Sequence, residues 1–301
     1  MLADLFALLW APLLMCLVLT GIHAYLGIHV IAREVIFVDI AMAQIAAMGA
    51  TAAFLGGFDL DSRVSWASAL GCTLLGAVAL TFTRSRERHV SQEAVIGVIY
   101  AVSAAAAVLL ADRAPHGAEH VRTMLVGNIL TTRPDEVARV AVLYASIGLV
   151  HWLCRKPLLL ISTDPAAAFA QGWRVRWWDL LFYSTFGLVV TSSVRIGGVL
   201  LVFSYLIVPS LAAIALGGSI GARLVIGWVF GAAVSVLGIT ASAAFDLPTG
   251  ATVVCAFGAA LALLWGMAPA ARYRAAAAAA RGTVLTRTKE PADTAPRAPR
   301  P

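Results

Sequence analysis

Residues 116 to 120 read HGAEH, two imidazoles and a carboxylate within five positions. These are the side chains that ligate zinc and activate a bound water. As a hydrolase centre, His116 and His120 would share one helix face, a third ligand would complete the site and Glu119 would take a proton from water. Pro115 before the run and Gly117 within it work against such a helix. Two other readings stay open: a solvated loop without metal chemistry, and a loop that attracts or gates a divalent cation.

The stretch REVIFVDIAMAQIAAMGATAAF puts Asp39 and Gln44 inside an otherwise apolar run. An ionisable group within a membrane helix costs about 2.5 to 3.5 kcal/mol on insertion scales, so it marks either a polar pathway or a paired structural site. Carboxylate and amide oxygens suit hard or borderline divalent cations, whereas a histidine nitrogen would tilt the choice toward zinc.

A third stretch, ISTDPAAAFAQGW, has the grammar of a very short helix. Asp164 is a good N-cap, Pro165 fits the first helical position, the alanines favour helix and Gly172 supplies a left-handed stop. So short a helix is marginal in water and needs something to hold it. Phe169 is the one large apolar side chain it offers, either as a knob for a groove on another protein or as packing beside Trp173, Trp177 and Trp178.

The elements that must position these groups follow from composition. The 301 residues are 60% hydrophobic and 13% charged, with a mean hydropathy of +0.87. Soluble domains average about 45–50% apolar and about 25% charged, so this chain lives in lipid. Runs long enough to cross a bilayer at 1.5 Å per residue lie near 3–22, 35–56, 66–83, 94–111, 137–154, 179–194, 197–216, 222–244 and 249–267. The expected fold is an all-α polytopic bundle of about nine transmembrane helices, eight to ten. Residues 124–130, MLVGNIL, are apolar but too short to cross and read as a re-entrant or interfacial turn, stable only where protein or water satisfies its backbone. Pro209, late in the run 194–213, predicts a bend.

Cation placement orients the bundle. Counting spans alternately, Arg33, Arg84, Arg86, Arg88, Arg155, Lys156, Arg174, Arg176 and Arg223 fall on one side, and Arg63, Arg113, Arg122, Arg133, Arg139 and Arg195 on the other. The richer side is assigned to the cytoplasm. HGAEH then faces outward, while His89, His151, His23 and His29 belong to the inner half. The membrane-spanning body covers 1–267, with an inner connector at about 155–178, and residues 268–301 form a basic tail, expected to be disordered and cytoplasmic. The net charge of +6 reflects this topology and contact with anionic lipid headgroups rather than nucleic acid. Cys16, Cys72, Cys154 and Cys255 are scattered without paired spacing and read as small buried hydrophobes.

Four stretches together resemble the integral membrane subunit of the zinc/manganese (ABC-3) family of ATP-binding cassette importers: residues 27–50, residues 91–110 with MLVGNIL following, residues 162–181 and residues 197–213. The resemblance implies a permease of the bacterial-type cytoplasmic membrane, paired with a second copy as a homodimer and carrying a zinc or manganese ion as cargo. It also implies a cytoplasmic ATPase subunit and an extracytoplasmic metal-binding protein as partners. Asp39 and Gln44 would lie on the metal path, His116, Glu119 and His120 would help the metal in, and Asp164, Pro165, Phe169 and Gly172 would belong to the segment that receives the ATPase stroke. The chain has no G-x-x-x-x-G-K-[ST] run to cradle ATP phosphates, so it is not expected to be an enzyme; the alternative is a membrane zinc hydrolase built on HGAEH. One departure stands out. Many members carry an Asp-Ala-Leu-Ser-His run in the second span, its Asp and His implicated in metal passage. Laid on DIAMAQ without gaps, Gln44 falls at the histidine, Ile40 at the aspartate and Asp39 one residue earlier.

Overall fold

The computed structural model describes residues 2–83, 91–114 and 125–266. Ten helices carry these residues: α1 Leu2–Ala32, α2 Val38–Leu55, α3 Arg63–Thr83, α4 Gln92–Asp112, α5 Pro134–Leu153, α6 Arg155–Thr163, α7 Pro165–Ala170, α8 Val175–Leu216 and α9 Ile220–Phe245, then α10 Thr249–Gly266. Among the described residues there is no strand. Eight of the helices are long and apolar enough to cross a membrane. By its internal contacts the chain divides after Gly258, and the packing described below concerns the first unit.

Nine expected spans become eight helices because two of them share α8. A straight helix of its 42 residues would be about 63 Å long, twice the ~30 Å hydrocarbon core. It is not straight. Gly198 has φ 75° and ψ 163°, a backbone region open to glycine alone, and there the chain doubles back. Contacts establish the reversal. Arg33 pairs with Asp179, His29 meets Phe182, and Tyr144 touches both His23 and the Val189 carbonyl, so α1 runs antiparallel to residues 175–197. Gly231 sits against both Thr20 and Pro209, and Gly227 against both Ala24 and Ala213. Both α1 and residues 199–216 therefore run antiparallel to α9, and parallel to each other. The nine-crossing reading survives as a helical hairpin.

Short polar contacts sort the helix ends into two groups. At one end lie Arg33 with Asp179 at 2.6 Å, Phe37 N donating to Glu93 Oε1 at 3.0 Å and Gln92 donating to the Tyr183 hydroxyl at 3.0 Å. At the other, Arg195 pairs with Asp61 at 3.1 Å and Asn128 N donates to the Ile196 carbonyl at 3.1 Å. This is the alternation that the connector charges predict.

The short apolar stretch expected to turn at 124–130 is described from residue 125. Residues 125–128 run against the hairpin tip and a 3₁₀ turn, Ile129–Thr131, leads on toward α5. Gly127, at φ 66°, and Gly198 meet backbone to backbone, with no room for a Cβ on either, and Gly250 lies against the Val126 carbonyl. Protein thus covers one side of this irregular backbone, at Gly127 and Ile129, while Leu125, Asn128 and Leu130 remain exposed.

Two boundaries differ from the sequence reading. The first helix continues ten residues past position 22, to Ala32, through GIHAYLGIHVIA, because its histidines find partners within the protein. The inner connector contains a further helix, α6, with Pro157 tolerated in its first turn.

Candidate metal path and docking helix

Helix α2 has no side-chain N-cap of its own. Glu93, in the first turn of α4, instead accepts the Phe37 amide, which ties the entrances of the two helices. Asp39 follows in the first turn of α2 and is 1% exposed, with both carboxylate oxygens lacking a hydrogen-bond partner. Burying a carboxylate in this way is costly, so the position is under some constraint beyond packing.

Gln44 is five residues on, about 140° around the helix, and half-buried. The structure therefore does not bring Asp39 and Gln44 onto one face. Gln44 shares its stripe with Ile40, Met48 and Ala52, all at least partly exposed at intervals of four, whereas the flanking residues of α2 are mostly buried. Ile40 and Gln44 thus point out of the subunit together, and Asp39 points into it.

Sequence reasoning missed a larger polar network. Arg33, at the end of α1, donates from Nη1 to Asp179 Oδ1 at 2.6 Å and from Nε to Ser162 Oγ at 2.8 Å, and its guanidinium lies 4.0 Å from the Phe182 ring centroid. The Ser162 hydroxyl donates to the Leu158 carbonyl, so it must accept from His29 Nδ1, 2.8 Å away. His29 is then the Nδ1–H tautomer, with a lone pair on Nε2; that nitrogen is buried without a partner. The same logic applies to His151. Thr185 Oγ1 donates to backbone carbonyls and receives His151 Nε2–H at 2.7 Å, leaving Nδ1 to accept from Tyr25 at 3.3 Å. One signal was available in sequence: Arg33 and Asp179 flank predicted spans on the same side. Nothing in sequence paired them.

Helix α7 matches its sequence grammar closely. Asp164 Oδ1 accepts the Ala167 amide at 2.9 Å, Pro165 opens the helix and Gly172 follows at φ 75°. Its inward anchor is Ala168, packed with Ile161 of α6 and Val175 of α8 and flanked by Leu160 and Trp178. Phe169 points away, 38% exposed. Because Ile161 neighbours Ser162 on α6, the docking helix, Arg33 and both α1 and α8 form one connected structure.

His116, Glu119 and His120 lie outside the described residues, as does the tail 268–301. Among the described residues no three His, Cys, Asp or Glu side chains gather as a metal site.

Residues 6–268 match the family model described as the ABC 3 transport family. The chain belongs to the ABC-3 transport family. Among its relatives are a protein named "Probable iron transport system membrane protein" from Haemophilus influenzae, 26% identical over 60% of this chain, and one named "Manganese transport system membrane protein MntC" from Listeria monocytogenes, 25% identical over 60%. In each of these matches the chain spans 64% of the relative's length. A "Manganese import system permease protein ScaB" from Streptococcus gordonii is 23% identical over 89% of this chain and 94% of its own. In fold, the chain resembles a solved structure described as PsaBC from Streptococcus pneumoniae in complex with Fab, with TM-score 0.74, 23% identity and coverage of 91% of this chain and 98% of that one. ABC-3 membership lends no support to the hydrolase alternative.

Proposed function

We propose that this ABC-3 chain is the permease subunit of an ATP-binding cassette importer that moves a divalent transition metal across a bacterial cytoplasmic membrane. The observation that carries the reading is the outward stripe of α2. Ile40 and Gln44 occupy the positions aligned with the family's Asp and His, and they lie on the part-exposed face of an otherwise buried helix. A second copy meeting this stripe would form a two-fold seam with one Gln44 amide from each side. Asp39 stands behind the seam as a fixed carboxylate.

Without an imidazole at position 44, the seam offers oxygen donors. That chemistry favours manganese over zinc, and the relatives' names point to manganese or iron. HGAEH, on the opposite side from the docking helix by chain order, would collect the metal from an extracytoplasmic binding protein. Helix α7 would receive a cytoplasmic ATPase through Phe169, because the chain itself lacks a phosphate-binding loop.

Metal content of manganese-starved cells tests this. Deleting the gene should lower cellular manganese, with uptake restored by the native chain and not by Gln44→Ala. Unchanged manganese, iron and zinc in the deletion strain would refute the importer; a selective fall in zinc or iron would reassign the cargo.

A further inference from the structure

One cavity in the described residues belongs to neither α2 nor α7. It is a groove of about 520 Å³ between α1, α5 and α9. Helices α5 and α9 form its walls and each packs on α1. Four small residues clear the space: Gly21 on α1 and Ala141, Ala145 and Gly148 on α5. A Cβ at Gly21 or at Gly148 would meet nothing within 4 Å. Leu224 and Trp228 of α9 face them across the groove.

The groove is apolar along its length and polar at one end, where Tyr25, His29, His151 and Arg155 gather. His29 is 1% exposed and its unpartnered Nε2 carries a lone pair, which calls for a hydrogen-bond donor. Arg155 is solvent-exposed, donates to the Trp152 carbonyl at 2.9 Å and lies 4.8 Å from the Trp152 ring centroid. An arginine beside a tryptophan marks headgroup depth, and it calls for an anion. From Ala141 to Arg155, fourteen residues of chain cover about 21 Å, half of the ~40–45 Å bilayer with its headgroups. The groove therefore runs from the midplane to one interface.

We infer that this groove binds one anionic phospholipid of the adjacent leaflet, its acyl chain over Gly21 and Gly148 and its phosphate at Arg155. A headgroup that also bears hydroxyls, as phosphatidylglycerol does, answers both open groups, with phosphate to the guanidinium and O–H to His29 Nε2. Basic pockets between membrane helices are where such headgroups settle. The site depends only on the chain lying in a membrane, and not on which metal it carries or how its copies pair.

Native mass spectrometry of the purified full chain, with phosphatidylglycerol or phosphatidylcholine added at equal concentration, tests the site. The native chain should retain phosphatidylglycerol preferentially. Arg155→Gln should weaken that retention about fivefold, and Gly148→Leu, which projects a side chain into the groove from a position where a Cβ meets nothing, should abolish it. Arg139→Gln, at the other end of α5, should leave it unchanged. Equal retention of the two lipids, or retention indifferent to Arg155→Gln and Gly148→Leu, overturns the inference. A two-copy disulfide in membranes through Gly148→Cys, in a chain whose four cysteines are changed to alanine, would overturn it too, because a second protein would then cover the groove.

Discussion

Arg33 and Asp179 meet at 2.6 Å with each side chain 1% exposed, joining the end of the first membrane helix to the start of the hairpin. Ser162 of α6 completes the contact. Helices α6 and α7 are thus tied to α1 and α8 through charged hydrogen bonds as well as through apolar packing.

That arrangement predicts unequal effects of single and double substitutions. Arg33→Met or Asp179→Leu alone leaves a buried charge without its partner and should cost about 3–5 kcal/mol, read as a large loss of folded yield in detergent. The double variant removes both charges and should recover most of the yield. If the pair also transmits the ATPase stroke, vesicles holding the double variant together with its ATPase subunit will hydrolyse ATP at near-native rates while accumulating little metal. Native transport by the double variant would reduce the pair to architecture.

The docking surface is tested at Phe169. Phe169→Asp places a charge on an exposed apolar knob, so the chain should fold normally and lose ATPase association in a pull-down. Asp164→Ala removes the N-cap that holds Ala167 N, worth about 0.5–2 kcal/mol, and should weaken the same association without abolishing it.

Cargo preference should follow the α2 stripe. Ile40→Asp with Gln44→His places a carboxylate and an imidazole one turn apart on the outward face, so the ratio of zinc to manganese uptake should rise. Asp39→Asn, on the inner face, should leave that ratio unaltered. Radiolabelled uptake of the two ions by matched strains measures both.

The hairpin tip has its own test. Gly198→Ala forces a Cβ into the 125–128 backbone at a φ/ψ pair that alanine avoids, costing at least about 1–3 kcal/mol, and should lower the melting temperature in detergent. Gly97→Ala, where a Cβ meets nothing in mid-helix, should be neutral or stabilising by up to about 1 kcal/mol.

Most of this fold was legible because lipid imposes simple rules. Runs of apolar length gave the crossings, and cation counts gave the alternation that Arg33–Asp179 and Arg195–Asp61 later displayed. Helix α7 was legible because capping is local: Asp164, Pro165 and Gly172 each act within a few residues. What stayed hidden was long-range. No periodicity pairs Arg33 with Asp179, 146 positions away, or seats His29 on Ser162, 133 positions away. The separation of Asp39 from Gln44 was available from helical geometry, but which side faced inward was not, because α2 is apolar nearly all round.

Gly27 passes so close to the Leu206 carbonyl and Ser210 that no side chain fits between them, and Ser210 also donates to the Ala24 carbonyl at 3.2 Å. Helix α1 and the second arm of the hairpin are consequently clamped where the last turns of α1 meet the middle of that arm, and sliding or splaying there would break contacts that have no slack. A rearrangement that keeps these contacts would move α1 and the second arm as one block. Thr73 and Thr191, bonded at 3.0 Å, tie α3 to the first arm as well, with Gly187 pressed against the Thr73 side chain.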